Sequence, residues 1–190
     1  MVPHHSDRES GRSVTTVGRT MKSAMKAVAA EATPAANTEV RPLYLEALTL
    51  VERLHRRLLD VIKDEFERRG RDDVNSVQAL LLYNIGDKEL TASELRTRGY
   101  YLGSNVSYNV KKLVEMGYLH HARSRVDRRS VRISLTPKGK EVHEMVTGLY
   151  EKHVRTIEPI GGITADDFKR LNQALMRLER YWTDQIRYRL

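Results

Sequence analysis

The chain contains no cysteine. Disulfides, thiolate zinc sites and cysteine-based redox sensing are therefore excluded. No apolar run approaches the length needed to span a bilayer. The N-terminus carries basic residues without the apolar core of a secretory signal, so a soluble, intracellular protein is expected. Phosphate loops, dinucleotide fingerprints and nucleophile elbows are also missing. Ser, His and Asp occur at no spacing that suggests a triad, and no catalytic residue is assigned. His120 and His121 are adjacent on an extended segment, so they point to opposite faces and cannot simply chelate one metal. His143 and His153 share a helical face, but ten residues of helix separate them by roughly 15 Å. No metal site and no cofactor are expected.

What is present is positive charge. The 190 residues carry a formal net charge of +8. Between Arg96 and Arg132 stand nine basic residues (Arg96, Arg98, Lys111, Lys112, Arg123, Arg125, Arg128, Arg129, Arg132) against Glu115 and Asp127, which leaves +7 of that excess. A surplus needed only for solubility would be spread out. One this concentrated points to a polyanion, and nucleic acid is the first partner to consider.

Residues 1–39 read as a disordered tail, dominated by Ser, Thr, Ala, Gly and charges. Met21 and Met25 are alternative starts to Met1. A long helix is predicted from about Pro42 to Arg69, because Leu43, Ala47, Leu50, Val51, Leu54, Leu58, Val61 and Ile62 recur at helical spacing. Gly70 stops it. Asn75 and Gln78 have capping-box spacing and open a second helix, whose body from Val77 to Ile85 is apolar almost all round and belongs in the core. Thr91-Ala-Ser-Glu94 opens a short third helix to about Arg98. After the break from Gly99 to Gly103, a fourth helix runs from Ser104 to about Met116.

The stretch from Arg123 to Gly139 follows. Five arginines fall within ten residues, around one aspartate. Val131, Ile133 and Leu135 then alternate with Arg132 and Ser134, the pattern of a strand with one buried face. Thr136 and Pro137 start a helix to about Ile157, since Thr caps free amides and Pro suits the first helical position. Gly161 and Gly162 break it. Thr164 to Asp167 cap a last helix carrying Phe168, Leu171, Leu175, Leu178, Trp182 and Ile186 at steps of three and four. No internal repeat is evident. The expected fold is mainly α with a small β-hairpin wing. Two short helices around a glycine break, followed by a basic hairpin, form a winged helix-turn-helix pattern.

In the fourth helix, burying Val106, Val110, Leu113 and Val114 leaves Asn105, Ser107, Tyr108, Lys111, Lys112 and Glu115 outward. Asn105, Ser107 and Tyr108 lie in the first turns, the part of a recognition helix that meets base edges. Asn pairs with adenine and Tyr contacts a thymine methyl or a phosphate; Lys111 and Lys112 suit phosphates. At the hairpin tip, Arg128 or Arg129 can enter a narrow minor groove, drawn by its negative potential. Asp127 repels phosphate, so its use is internal, bonding a nearby arginine to shape the tip. Tyr100 and Tyr101 either bond phosphates or plug the gap between helices. The terminal helices carry more apolar surface than a winged-helix core can cover. They either pack on their own domain or pair two copies.

These residues resemble the MarR family of bacterial winged-helix regulators. Asp127-Arg128-Arg129, the strand from Val131 to Leu135, Thr136 and Gly139 are similar to its wing signature, Asp-x-Arg followed by a strand and Leu-Thr-x-x-Gly. Thr91-Ala-Ser-Glu94-Leu95 and the run from Val110 to Gly117-Tyr118-Leu119 fit its helix-turn-helix region. The resemblance covers about Arg41 to the C-terminus. Within the family, the stretch from Val74 to Thr136 looks most like regulators of cell-envelope LD-transpeptidase genes.

The resemblance implies a DNA-binding transcriptional regulator of the cytoplasm, associated with the nucleoid. It implies one domain over 40–190, with the winged helix-turn-helix at about 74–136 and dimerisation helices at about 42–69 and 137–190. Arg129 becomes the minor-groove arginine and Asp127 its wing partner. Asn105, Ser107, Tyr108 and Lys111 face the major groove, and Lys112, Arg125 and Arg128 complete the expected DNA-binding set. The implied partners are double-stranded DNA, a second copy of the chain, and a small aromatic or acidic effector whose residues are not assigned. The rival expectation is an architectural protein that coats DNA with little sequence preference. The chain departs from the redox-sensing branch of the family, since it has no cysteine, and its Gly99-Tyr-Tyr-Leu-Gly103 turn before the expected recognition helix is unusual.

Overall fold

A computed structural model describes the backbone of residues 23, 34–91, 94–95, 103–123 and 131–188, and side chains for the same residues except 34–37, 103–106, 123 and 131. Helix α1 spans Pro34–Arg68, α2 Ser76–Ile85, β1 Leu90–Thr91, α3 Gly103–Glu115, β2 Leu119–Arg123, β3 Val131–Leu135, α4 Pro137–Thr156 and α5 Ala165–Tyr188.

One expectation is corrected. The first helix starts at Pro34 and not near Pro42, which lies inside it. The end of the stretch expected as a disordered tail is therefore helical. Proline lacks the amide for one helical hydrogen bond, yet the helix continues through Pro42. The expected hairpin is present and gains a third strand. The sheet has the order β1-β3-β2, with Leu90 opposite Ile133 and Thr91 opposite Arg132. Two residues are too few to show strand periodicity, so β1 left no pattern in the sequence.

The chain divides into two compact units, Leu50–Gly162 and the remainder. In the first, α1 ends where Gly70 takes φ +67° and Arg71 N–H bonds back to the Phe66 carbonyl at 2.9 Å, satisfying an orphan carbonyl. The Asn75–Gln78 capping box forms as expected: Asn75 Oδ1 accepts from Gln78 N–H at 2.9 Å and Gln78 Oε1 from Asn75 N–H at 3.2 Å. It launches α2 into the middle of the core, where Ala79, Leu80, Leu81, Leu82 and Ile85 are all buried. Ile62 and Phe66 of α1, Leu113 of α3, Ile133 of β3, and Val142 and Val146 of α4 close around it.

In the second unit, α5 opens on a capping box. Thr164 Oγ1 accepts from Asp167 N–H at 3.2 Å, and an Asp167 carboxylate oxygen accepts from Thr164 N–H at 3.0 Å. Trp182 Nε1 donates to the Tyr44 hydroxyl at 3.3 Å. None of the residues of α5 is buried, and Phe168, Leu171, Leu175, Trp182 and Ile186 are all exposed.

Candidate nucleic-acid interface

The interface is built on α3. Val110 and Leu113 are buried and Val114 is half-buried, which anchors one side of the helix in the core. Helical geometry then forces Ser107, Tyr108, Lys111, Lys112 and Glu115 outward, and all five are exposed. Tyr108 is 65% exposed. Lys111 Nζ lies 3.9 Å from Glu115, a solvent-screened pair one turn apart. Asn105 sits in the first turn of α3, with its side chain outside the described residues.

The wing follows. β2 and β3 pair antiparallel from Leu119 opposite Leu135 to Arg123 opposite Val131. Ile133 and Leu135 are buried while Arg132 and Ser134 are half-buried, as the alternation requires. The tip arginines Arg125, Arg128 and Arg129, and Asp127, lie outside the described residues, as do Tyr100 and Tyr101.

The base of the wing is locked at one joint. Thr136 caps α4 by accepting from Gly139 N–H at 3.1 Å. Its hydroxyl also donates to the Gly117 carbonyl at 2.7 Å, and its amide donates to the Tyr118 carbonyl at 3.1 Å. A Cβ built on Gly139 would overlap that same Tyr118 carbonyl oxygen, so only glycine allows the approach. The Leu-Thr-x-x-Gly pattern therefore has a physical meaning here: a cap, a strand-to-helix corner and a close backbone contact.

One polar cluster was missed in the sequence. The Tyr118 side chain is fully buried, and its hydroxyl donates to Asp73. Arg71 Nη2 donates to the Tyr118 hydroxyl at 3.2 Å, and Arg71 Nε to Asp73 at 3.0 Å. Lys138 Nζ lies 4.2 Å from the centre of the Tyr118 ring, a cation–π contact. The Arg71 hydrogen bond holds the Asp73 carboxyl below the usual range against the opposing cost of burial, and burial pushes the Tyr118 phenol up. The residues lie 45 positions apart, and no local pattern connects them.

These groups offer hydroxyl, phenol and ammonium donors on a convex helix beside a two-stranded ribbon. Among the described residues, no group of His, Asp or Glu is arranged to hold a metal ion, and no helix is long and apolar enough to cross a membrane.

Comparison with known proteins agrees with this geometry. Residues 74–139 match the family model described as a winged helix DNA-binding domain. The chain is similar to the exopolysaccharide II synthesis transcriptional activator ExpG of Rhizobium meliloti, at 33% identity over 145 residues, covering 76% of this chain and 74% of that protein. Among solved structures, it is similar to a MarR variant from E. coli complexed with operator DNA (TM-score 0.58, 20% identity, covering 75% of this chain and 96% of that one). It also resembles Bordetella bronchiseptica BpsR, studied for regulation of its DNA binding by 6-hydroxynicotinic acid (TM-score 0.56, 17% identity, covering 69% and 91%). The chain belongs to the MarR family of winged helix-turn-helix transcriptional regulators.

Proposed function

We propose that this regulator works as a homodimer on pseudo-palindromic duplex sites in the cytoplasm, at the nucleoid, and that it performs no catalysis. The observation that carries the reading is the exposed face of α3, where Ser107, Tyr108, Lys111 and Lys112 stand clear of a helix anchored by Val110 and Leu113. Asn105, Ser107, Tyr108 and Lys111 read the major groove. Arg129 enters the minor groove, Asp127 shapes the wing tip, and Lys112, Arg125 and Arg128 hold phosphates. The apolar seam of α5 supports the dimer, because no residue of that helix is buried within one chain. Domain 40–190 is one functional unit in this reading, with 1–39 outside it. A small aromatic or acidic effector modulates DNA binding, as BpsR is regulated by 6-hydroxynicotinic acid.

The test is selection of duplexes from a random-sequence pool, followed by competition against random duplex at fixed salt. The selected sites should carry inverted half-sites about 34 Å apart and bind about a thousandfold tighter than random duplex. Arg129→Ala should weaken binding steeply and lower the salt slope by about one. Asn105→Ala should shift base preference at one position of each half-site. Equal affinity for selected and random duplex would mean an architectural DNA-coating protein instead.

A further inference from the structure

Tyr118 is the first residue after the turn that ends the recognition helix, and every part of it is held. Its amide donates to the Leu113 carbonyl at 2.8 Å, tying it to α3. Its carbonyl accepts from the amide of Thr136 at 3.1 Å, with the Thr136 hydroxyl oxygen also 3.1 Å away. Just before it, the Gly117 carbonyl accepts from the Thr136 hydroxyl, and the Met116 carbonyl accepts from Lys138 Nζ at 3.2 Å. Three successive carbonyls at the exit of α3 are thus taken up by the start of α4. The hydroxyl reaches the other way, to Asp73 and Arg71 in the connection between α1 and α2.

We propose that Tyr118 is the positioning residue for base readout, and that its hydroxyl bond to Asp73, braced by Arg71, sets the angle at which α3 presents its first turn. This rests on the DNA-binding reading above and adds a residue that does not itself touch DNA. The effect is one of leverage. The 13 residues of α3 make a rod about 20 Å long. A swing of about 5° at its exit moves the far end by about 2 Å over that length. Hydrogen bonds to base edges tolerate a few tenths of an ångström, so such a swing breaks them. Phosphate contacts through flexible lysines and arginines survive it, because long charged side chains follow the backbone. Discrimination therefore depends on the Tyr118 hydroxyl while general affinity does not.

The experiment uses the full chain, a duplex recovered by selection from a random pool, and random duplex, at several salt concentrations. Tyr118→Phe keeps the buried ring and every backbone bond but removes the hydroxyl. Its affinity for the selected duplex should fall about tenfold, the scale of one hydrogen bond to a charged group. Affinity for random duplex should stay within about twofold, with the salt slope unchanged, since no phosphate contact is lost. Asp73→Ala, which takes away the acceptor of the Tyr118 hydroxyl, should lose discrimination too, and the double variant should be no worse than Asp73→Ala alone, because the hydroxyl then has no carboxylate left to hold. Amide exchange across residues 107–118 should quicken in Tyr118→Phe without DNA, a readout that stands even where a variant binds too weakly to titrate. Tyr118→Phe with wild-type discrimination and wild-type exchange overturns the inference and leaves the DNA-binding reading standing. Equal losses on both duplexes overturn it too, marking Tyr118 as a stability residue only. A wild-type chain that cannot tell the two duplexes apart overturns the sequence-specific reading and this inference with it.

Discussion

Helices α2 and α5 apply the same physics to opposite ends. Both open on a capping box, Asn75 with Gln78 in one and Thr164 with Asp167 in the other. Yet six of the ten residues of α2 are buried, whereas α5 buries none of its 24. The two faces differ in kind. The apolar residues of α2 wrap its circumference and need neighbours on all sides, which the winged unit supplies. Those of α5 form a stripe with Lys169, Arg170, Arg177, Arg180 and Arg187 on other faces, so one flat partner is enough. Capping decides that a helix forms, and the width of its apolar stripe decides what company it needs. The winged unit closes on itself. The seam of α5 is left for the association proposed above.

The sharpest way to break this comparison is to cut one leucine from each helix. Leu82→Ala removes a fully buried side chain and should cost about 2–5 kcal/mol in urea unfolding. Leu175→Ala, at 40% exposure, should change the stability of the single chain by less than about 1 kcal/mol. It should instead raise the dimer dissociation constant about tenfold or more in sedimentation, as truncation at an interface core does. If Leu175→Ala unfolds the chain at low concentration as readily as Leu82→Ala, the seam is internal core and the contrast fails.

A smaller effect compares the two threonine caps. Thr136→Ala removes a buried hydroxyl that both caps α4 and fastens the Gly117 carbonyl, and should cost about 1–2 kcal/mol. Thr164→Ala strips an exposed cap and should cost about 0.5–1 kcal/mol. Equal losses in thermal unfolding would show that the corner at Thr136 adds nothing beyond capping.

The smallest effect is in pH dependence. The folded state holds the Asp73 carboxyl below its ordinary value, so the contacts with Arg71 and Tyr118 stabilise the fold fully above the unfolded value of about 4. That contribution is lost as pH falls through the lower, folded value. The gap in urea midpoint between wild type and Asp73→Asn should therefore be open at pH 7 and narrow below about pH 4. A gap of constant width down to pH 3 would mean that the charge of Asp73 carries none of it.

Much of this was legible because it is local. Asn75 with Gln78, Thr91 with Glu94 and Thr136 before Pro137 each announce a helix start within four residues, and the capping bond of each is present. Val110 and Leu113 on one side of α3 implied Ser107, Tyr108, Lys111 and Lys112 on the other, and the helix presents them so. What stayed hidden depends on distance along the chain. β1 exists only because Leu90 and Thr91 find β3 some forty residues later. Asp73 is an ordinary loop carboxylate until folding brings Tyr118 to it.

Neighbours a few residues apart are enough to set the caps of α2, α4 and α5, the alternating strand of the wing and the concentration of positive charge around it. That Gly139 must be glycine against the Tyr118 carbonyl, and that the exit of α3 is bolted to Arg71 and Asp73, follows from the folded chain and from no local pattern. Folding alone decided that none of the residues of α5 is buried. Close approach, burial and pairing are properties of segments that meet in space, and a linear pattern carries no term for the meeting.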